Sequence, residues 1–157
     1  TPLMLQVLVV YFGPYYLLGV QVGSGYRIWA TMIGFVINYA AYFAEIYRGG
    51  IQSMPAGQYE AAALLGYNRV QTFFKIIFPQ VFKRILPSVT NEVITLVKDT
   101  SLAFTIGVGE MFTTAKALAS SQTSVIPFVA AGLFYYVFNL LVAVVMDRTE
   151  KKLSYYQ

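Results

Sequence analysis

Four long apolar segments constrain this sequence more than any other feature. They cover residues 3–20, 28–47, 85–106 and 126–146. A helix needs about 20 mostly apolar residues to cross a bilayer. Each segment reaches or approaches that length, and the last is the most uniformly apolar, with Asn139 as its main polar residue. We therefore predict an all-α integral membrane protein with about four membrane helices, forming a single transmembrane domain over residues 1–157.

Composition supports this fold class and excludes several functions. Charged residues make up 11% of the chain, whereas soluble proteins contain roughly 25%. Cysteine and histidine are absent, which removes thiolate nucleophiles, the usual zinc ligands and the most frequent general base. Glu92 and Asp99 lie on one helix, too far apart to share a proton as a pair of catalytic carboxylates does. We expect no enzyme, no metal site and, at a net charge of only +4, no nucleic-acid partner.

Basic residues predict the orientation, because short cytoplasmic loops collect Lys and Arg. Five of them lie in the loop 48–84 and three on the C-terminal tail, whereas the other connections hold only Arg27 and Lys116. Two predicted helices separate the basic loop from the basic tail, so both must lie on one side. We expect the loop 48–84 and the C-terminus to be cytoplasmic and the loop 107–125 to be external.

The cytoplasmic loop carries the signals of two short helices. Ser53 can cap a helix with Pro55 in its first turn, and Gly66 is a natural residue for the turn that ends it. Asn68 offers a second N-cap, for a helix that Pro79 is expected to end. The loop is therefore predicted to form a helix, a glycine turn and a second helix.

This hairpin has one face almost without side chains. Ala61, Ala62 and Ala63 leave the backbone open to close approach, and Glu60 adds a charge beside them. A docking surface for another protein is one interpretation; an amphipathic hairpin that only packs on the bilayer surface is the other. Apolar side chains on the second helix are expected to anchor the hairpin to the membrane helices: Phe73, Phe74, Ile77 and Phe78.

The spacing of these residues resembles a known signature. Importer permeases of the ATP-binding-cassette (ABC) class carry EAA, three residues, Gly, nine residues, Ile, one residue, Leu and Pro. Here Glu60-Ala61-Ala62 precedes Gly66, and Ile76, Ile77, Phe78 and Pro79 follow at the required distance, with Phe78 in place of Leu. Three further stretches resemble the polar amino acid branch: TPLMLQ at the start, AEIYRGGIQSMPAGQYEAA (44–62) and LPSVTNEVITLVKDTSL (86–102).

The resemblance implies a type I importer permease bundle in the cytoplasmic membrane, from which a preceding helix with an external N-terminus is missing. It implies that the hairpin is a coupling helix, with Glu60, Ala61, Ala62 and Gly66 contacting a separate ATPase subunit. It also implies a second permease subunit and a solute-binding protein that docks on the external side. The chain has no phosphate-binding loop, so we expect ATP to be bound by the partner and no cofactor here.

Polar residues within the apolar segments are candidates for substrate binding, since charges there are costly and tend to mark a pathway. Glu92 and Asp99 are seven residues apart, which places them on one helix face with about 10 Å between them. Asn38 and Glu45 have the same spacing on the second segment. If the two faces meet, they form an anionic, hydrogen-bonding lane. We predict Asn38, Glu92 and Asp99 as substrate-binding residues.

Each of these residues also has a structural alternative. Glu92 can bind a cationic substrate or pair with Lys83 or Arg84. Asp99 can hold the substrate ammonium or bond backbone at a helix break, and Asn38 can link two helices. Glu45 is expected to pair with Arg48 at i,i+3. The aromatic residues of the first segment indicate an interfacial belt: Tyr11, Phe12, Tyr15 and Tyr16.

The sequence thus predicts the permease subunit of an ATP-driven importer whose cargo is a polar, basic amino acid. Glutamine, glutamate or another polar amino acid is the alternative within that class. A membrane scaffold or sensor that recruits a cytoplasmic partner through the hairpin is the alternative from another class.

Overall fold

The computed structural model describes residues 2–153, except for the side chain of Leu153. The described residues form helices and connecting turns, with no strand among them. The long helices are α1 (Leu3–Leu18), α2 (Tyr26–Gln52), α5 (Phe78–Asp99) and α7 (Ile126–Leu153). The shorter ones are α3 (Ala56–Leu64), α4 (Arg69–Thr72) and α6 (Met111–Gln122). A π-helical turn, Phe73–Ile77, joins α4 to α5, and a 3-10 segment, Thr100–Ile106, follows α5.

All four predicted apolar segments are therefore helical, with shifted ends. Helix α2 continues to Gln52, beyond the predicted end at residue 47. Within residues 2–153, one helix, Ile126–Lys152, is long and apolar enough by composition to cross a membrane, and α1 is apolar but shorter. Helices α2 and α5 carry the polar residues discussed above, which lower their hydropathy.

Pro79 does not end the second hairpin helix, contrary to prediction. The chain stays helical from Arg69 to Ile106. The π-helical turn lies directly before Pro79, and the N–H of Phe78 donates to the carbonyl of Phe73, five residues earlier. A proline ring clashes with the carbonyl four residues before it, and a wider π turn relieves that clash at the cost of one local distortion.

One other local prediction is wrong. Ser53 does not cap α3, because its hydroxyl donates to the Gly50 carbonyl at 2.7 Å and so closes the end of α2. Helix α3 instead begins after Pro55, without a side-chain cap. The connection 107–125 contains a helix, α6, whose first N–H groups are bound by Glu110: its carboxylate accepts from Phe112 N and Thr113 N, each at 2.6 Å.

The chain divides into two compact units. One holds the chain up to Ala41 together with Ile94–Val142, and the other holds Tyr42–Val93 together with the chain from Ala143 on. In the first unit α1 packs against α2 where Gly34 meets Val7. A Cβ added to Gly34 would lie 2.9 Å from Val7 Cγ2, so only glycine permits this approach.

Arg27 ties three elements of the first unit together near the start of α2. Its Nε donates to the Tyr11 hydroxyl of α1 at 3.3 Å, and a terminal nitrogen donates to the Gly107 carbonyl at 3.5 Å. Gly107 has φ +74° and ends the 3-10 segment.

Candidate functional site

The signature hairpin consists of α3, the turn at Gly66 and α4. Gly66 has φ +80°, and its N–H donates to Ala63 O while Tyr67 N–H donates to Ala62 O, both at 3.0 Å. This pair of bonds is a Schellman motif, which requires a left-handed residue. Asn68 then caps α4 in a reciprocal capping box with Gln71. The predicted turn and second cap are confirmed.

The base of the hairpin is held in the core of the second unit. Ile77, Val81 and Ile85 form a buried cluster there. Gly50 near the end of α2 lies against it: a Cβ at Gly50 would overlap Ile85 and would come within 3.1 Å of Val81. Beside it, Arg84 donates to the Ser53 carbonyl at 3.0 Å. Glycine at position 50 therefore allows the end of α2 to pack directly on α5.

The tip of the hairpin presents large apolar side chains. Leu64 and Leu65 are 90% and 75% exposed, whereas Ala62 is only 1% exposed. Glu60 and Ala61 are exposed as predicted. The exposed apolar surface at the tip is therefore formed by the leucines beside Gly66, whereas Ala62 is buried. Its burial contradicts our expectation of an open alanine face that includes position 62.

Two of the four apolar side chains predicted to anchor the hairpin pack at its base, and the other two do not. Phe73 packs on the buried cluster and Ile77 is part of it. Phe74 and Phe78 remain 63% and 46% exposed, with ring centroids 6.3 Å apart. The π turn explains the difference, because one extra residue per turn rotates the side chains relative to regular helical spacing.

Two adjacent residues of α2 in the first unit, Asn38 and Tyr39, form hydrogen bonds to two different helices. Asn38 is 8% exposed and its Oδ1 accepts from Gln6 of α1 at 3.2 Å. The Tyr39 hydroxyl donates to Asp99 Oδ2 at the end of α5, at 2.8 Å. Asn38 therefore links two helices, the structural alternative considered above. Asp99 has a side-chain partner, Tyr39, that no sequence signal had indicated.

The two glutamates, Glu45 and Glu92, differ in whether they have a partner. Arg48 Nε donates to Glu45 at 3.0 Å, as predicted, and this partner raises the pKa of the Arg48 guanidinium. Glu92 is half-buried and forms no hydrogen bond or ion pair with another described residue. Pairing of Glu92 with Lys83 or Arg84 is thus not seen. Asn38 and Asp99 belong to the first unit and Glu92 to the second, and the predicted lane remains a prediction.

The sequence reasoning missed residues whose role depends on a distant partner. Tyr39, Gly50 and Gln6 carry no distinctive local pattern. Leu64 and Leu65 lie between Ala63 and Gly66, and two large apolar residues before a helix-ending glycine, in a loop expected to face water, could have indicated an exposed contact.

A family model for the inner membrane components of binding-protein-dependent transport systems matches residues 1–155. The chain belongs to this family. Its signature hairpin therefore occurs in a protein class named for transport across the inner membrane, which confirms the resemblance stated above.

The members most similar to this chain include amino acid permeases. The arginine transport system permease protein ArtQ of Bacillus subtilis is 39% identical over 155 residues, which cover 98% of this chain and 69% of the relative. The octopine transport system permease protein OccM of Rhizobium radiobacter is 40% identical over 149 residues, covering 91% and 61%. The chain thus spans roughly two thirds of the length of these relatives.

A solved structure of an ABC transporter has the same fold as this chain. A crystal structure of an amino acid ABC transporter with histidines superposes with a TM-score of 0.85 at 31% identity, covering 97% of this chain and 70% of that one. The helical arrangement of this chain is therefore that of an ABC transporter chain.

Proposed function

We propose that this chain is the permease subunit of an ATP-driven importer for a polar, basic amino acid. The carrying observation is the hairpin, which has the spacing of the importer signature and presents an exposed apolar tip in a chain of the inner-membrane transport family. Two adjacent, largely exposed leucines support a protein contact at this tip, since large exposed apolar patches often mark interaction sites.

The hairpin tip is the surface that an ATPase subunit would occupy. Leu64 and Leu65 would enter an apolar groove of the ATPase, and Glu60 would contact its rim. Movement of the tip would pass through α4 and the π turn to the Ile77 cluster, and from there along α5. A rigid connection of this kind converts closure of two ATPases into a change between outward-facing and inward-facing states. ATP is bound and hydrolysed by the partner subunit in this scheme.

The remaining partners follow from the same proposal. A second permease subunit completes the pathway, and a solute-binding protein delivers the cargo on the face of the loop 107–125. The basic residues of the loop 48–84 and of the C-terminal tail support a cytoplasmic location for both. The chain would be a multi-pass protein of the cytoplasmic membrane.

A basic cargo is supported by two observations. The relatives described above are named for transport of arginine and octopine. Glu92 is a half-buried carboxylate without a partner among the described residues, and a buried charge calls for an opposite charge. A cationic side chain of the cargo would provide it. Glutamine or glutamate is the alternative cargo.

Reconstitution tests the proposal. The permease is placed in liposomes with its ATPase, and the solute-binding protein is supplied outside with radiolabelled arginine. We expect uptake that requires ATP and arginine-stimulated ATP hydrolysis, and neither with an ATPase subunit that cannot hydrolyse ATP. A scaffold or sensor would bind the ATPase without amino acid uptake, and that result would reject the importer.

A further inference from the structure

A stripe of four large apolar side chains runs along the outside of the segment that leads from the hairpin into α5. Its members follow one another every four residues and are between 45% and 65% exposed: Val70, Phe74, Phe78 and Phe82. The ring centroids of Phe74 and Phe78 lie 6.3 Å apart, and those of Phe78 and Phe82 lie 6.4 Å apart. The rings therefore form one continuous surface, called here the phenylalanine stripe.

The opposite face of the same segment is already buried. Ile77, Val81 and Ile85 form the core cluster of this unit, with exposures of 9% or less. The segment is thus apolar on two sides, of which one is packed and one is open. A helix at a protein surface in water carries polar groups on its outer face, whereas a helix that is apolar all round lies in an apolar environment. The phenylalanine stripe therefore needs an apolar cover.

The charges beside the stripe indicate the nature of that cover. Residues 61–91 contain four basic side chains and no acidic one. Arg69 and Lys75 are exposed, and each adjoins a residue of the stripe in the sequence. The Lys75 ammonium lies 5.7 Å from the centroid of the Tyr67 ring, which holds a positive charge near the stripe without neutralising it. An apolar surface with negative groups at its edge is complementary to this arrangement.

The boundary of a bilayer with anionic headgroups has this composition. Helices at such a boundary bury Phe and Leu among the acyl chains and direct Lys and Arg to the headgroups. Phe82 lies three residues before the apolar segment 85–106, so the predicted topology puts the stripe at the inner leaflet. The leucines proposed to contact the ATPase, Leu64 and Leu65, precede the Gly66 turn and belong to the other arm of the hairpin.

We propose that the phenylalanine stripe binds anionic phospholipid of the cytoplasmic leaflet. The rings would lie among the upper parts of the acyl chains, and Arg69 and Lys75 would contact the phosphates. The contact would hold the base of the hairpin at the membrane surface while the tip follows the ATPase. This inference rests on the cytoplasmic placement of the loop 48–84 within the proposed function and not on the identity of the cargo.

Quenching of tryptophan fluorescence by brominated lipids tests the proposal on the full chain in nanodiscs. Phe78→Trp is made in a Trp29→Phe background, because Trp29 is the one tryptophan of the sequence. The nanodiscs contain phosphatidylcholine and a series of mole fractions of dibrominated phosphatidylglycerol or dibrominated phosphatidylcholine. We expect quenching at position 78 by both probes, with an apparent affinity about fivefold higher for the anionic probe, the factor expected for one basic residue near an anionic surface.

Two further proteins separate the charge from the apolar contact. Arg69→Gln with Lys75→Gln, in the same background, should keep the quenching at position 78 and lose the preference for the anionic probe. Phe138→Trp in the Trp29→Phe background is the matched control. Phe138 is 43% exposed, close to the 46% of Phe78, and lies in the uncharged part of α7, so both probes should quench it equally.

Three results would overturn the proposal. Absence of quenching at position 78 would show that protein covers the stripe. Equal quenching by the two probes would show a lipid contact without selection for charge. Loss of the quenching when a tryptophan-free ATPase is bound would assign the stripe to the ATPase. None of these measurements uses an amino acid; if the wild type takes up no amino acid in the liposome assay, the proposed function fails instead.

Discussion

The Tyr39 hydroxyl donates a hydrogen bond of 2.8 Å to Oδ2 of Asp99 and thereby joins the middle of α2 to the end of α5. Tyr39 is 5% exposed. Asp99 lies where the regular helix changes to the 3-10 segment. The bond therefore holds a carboxylate at the point where the geometry of the helix changes.

Removal of the Tyr39 hydroxyl should destabilise the protein. We expect Tyr39→Phe to lose about 1–3 kcal/mol, because the half-buried Asp99 then lacks its donor. Thermal unfolding in detergent measures the loss. Tyr47→Phe removes a hydroxyl that has no hydrogen bond in the described chain and should leave the midpoint unchanged; equal midpoints for both variants would contradict the role of Tyr39.

Asp99→Asn distinguishes a structural role of Asp99 from a role in binding cargo. The amide can still accept from Tyr39, so stability should remain close to that of the wild type. If Asp99 has only this structural role, the KM for arginine uptake should also be unchanged. A rise of about tenfold in KM without loss of stability would instead assign Asp99 to the cargo ammonium.

Gly50 should tolerate no side chain. Gly50→Ala places a methyl group onto Ile85 and should cost about 1–3 kcal/mol, the usual cost of overpacking. The neighbouring Gly49 has open space at its Cβ position, so Gly49→Ala should be neutral or stabilising by up to about 1 kcal/mol. Chemical denaturation measures the free energy of unfolding of both variants.

A second substitution checks the cause. Ile85→Ala in the Gly50→Ala background opens the space again, so the two changes should be less than additive. Additive losses would show that the contact between Gly50 and Ile85 is not what limits position 50.

Gly66→Val should separate ATP hydrolysis from uptake. The left-handed backbone at φ +80° is strained for a β-branched residue and costs of order 1–3 kcal/mol, so the hairpin tip should change shape. The amount of arginine taken up per ATP hydrolysed should fall, with the protein still in the membrane. Gly57→Val, at a helical glycine with open space, should keep the normal ratio, and normal coupling in Gly66→Val would reject the mechanical role of this turn.

Leu64→Ser with Leu65→Ser should weaken ATPase binding without destabilising the permease. Both side chains are largely exposed, so folding gains little from them, whereas burial of a leucine at an interface contributes about 1.5–3 kcal/mol. Pull-down of the purified ATPase measures the loss. Leu18→Ser, equally exposed at 75% on α1, is the control, and ATPase recovery equal to wild type in the double variant would exclude the leucines from the contact.

Glu92→Gln should reduce transport of cationic cargo selectively. Loss of a partly buried ion pair should raise the KM for arginine and lysine about tenfold or more, with little effect on glutamine. Competition uptake assays with arginine, lysine and glutamine compare this variant with the wild type. Unchanged transport of arginine and lysine would reject the carboxylate hypothesis and favour an uncharged cargo.

Local features of the fold could be predicted from the sequence because their causes lie within a few residues. The Gly66 turn, the Asn68 cap and the Glu45–Arg48 pair each depend on residues no more than four or five positions apart. The predicted end at Pro79 was wrong for a related reason: proline does disfavour a regular helix, but a π turn immediately before it was a second local solution. Apolar length alone located the long helices.

The long-range contacts were decided only by the tertiary structure. Whether Asp99 meets a substrate or Tyr39, whether Asn38 meets Gln6, and whether Gly50 lies against Ile85 depend on how each helix is rotated about its axis and how closely its neighbour approaches. Packing of whole helix faces sets those rotations, with side chains far apart in the chain acting together. The sequence by itself determined which residues are polar within the apolar helices, and only packing determined which of them already have a partner.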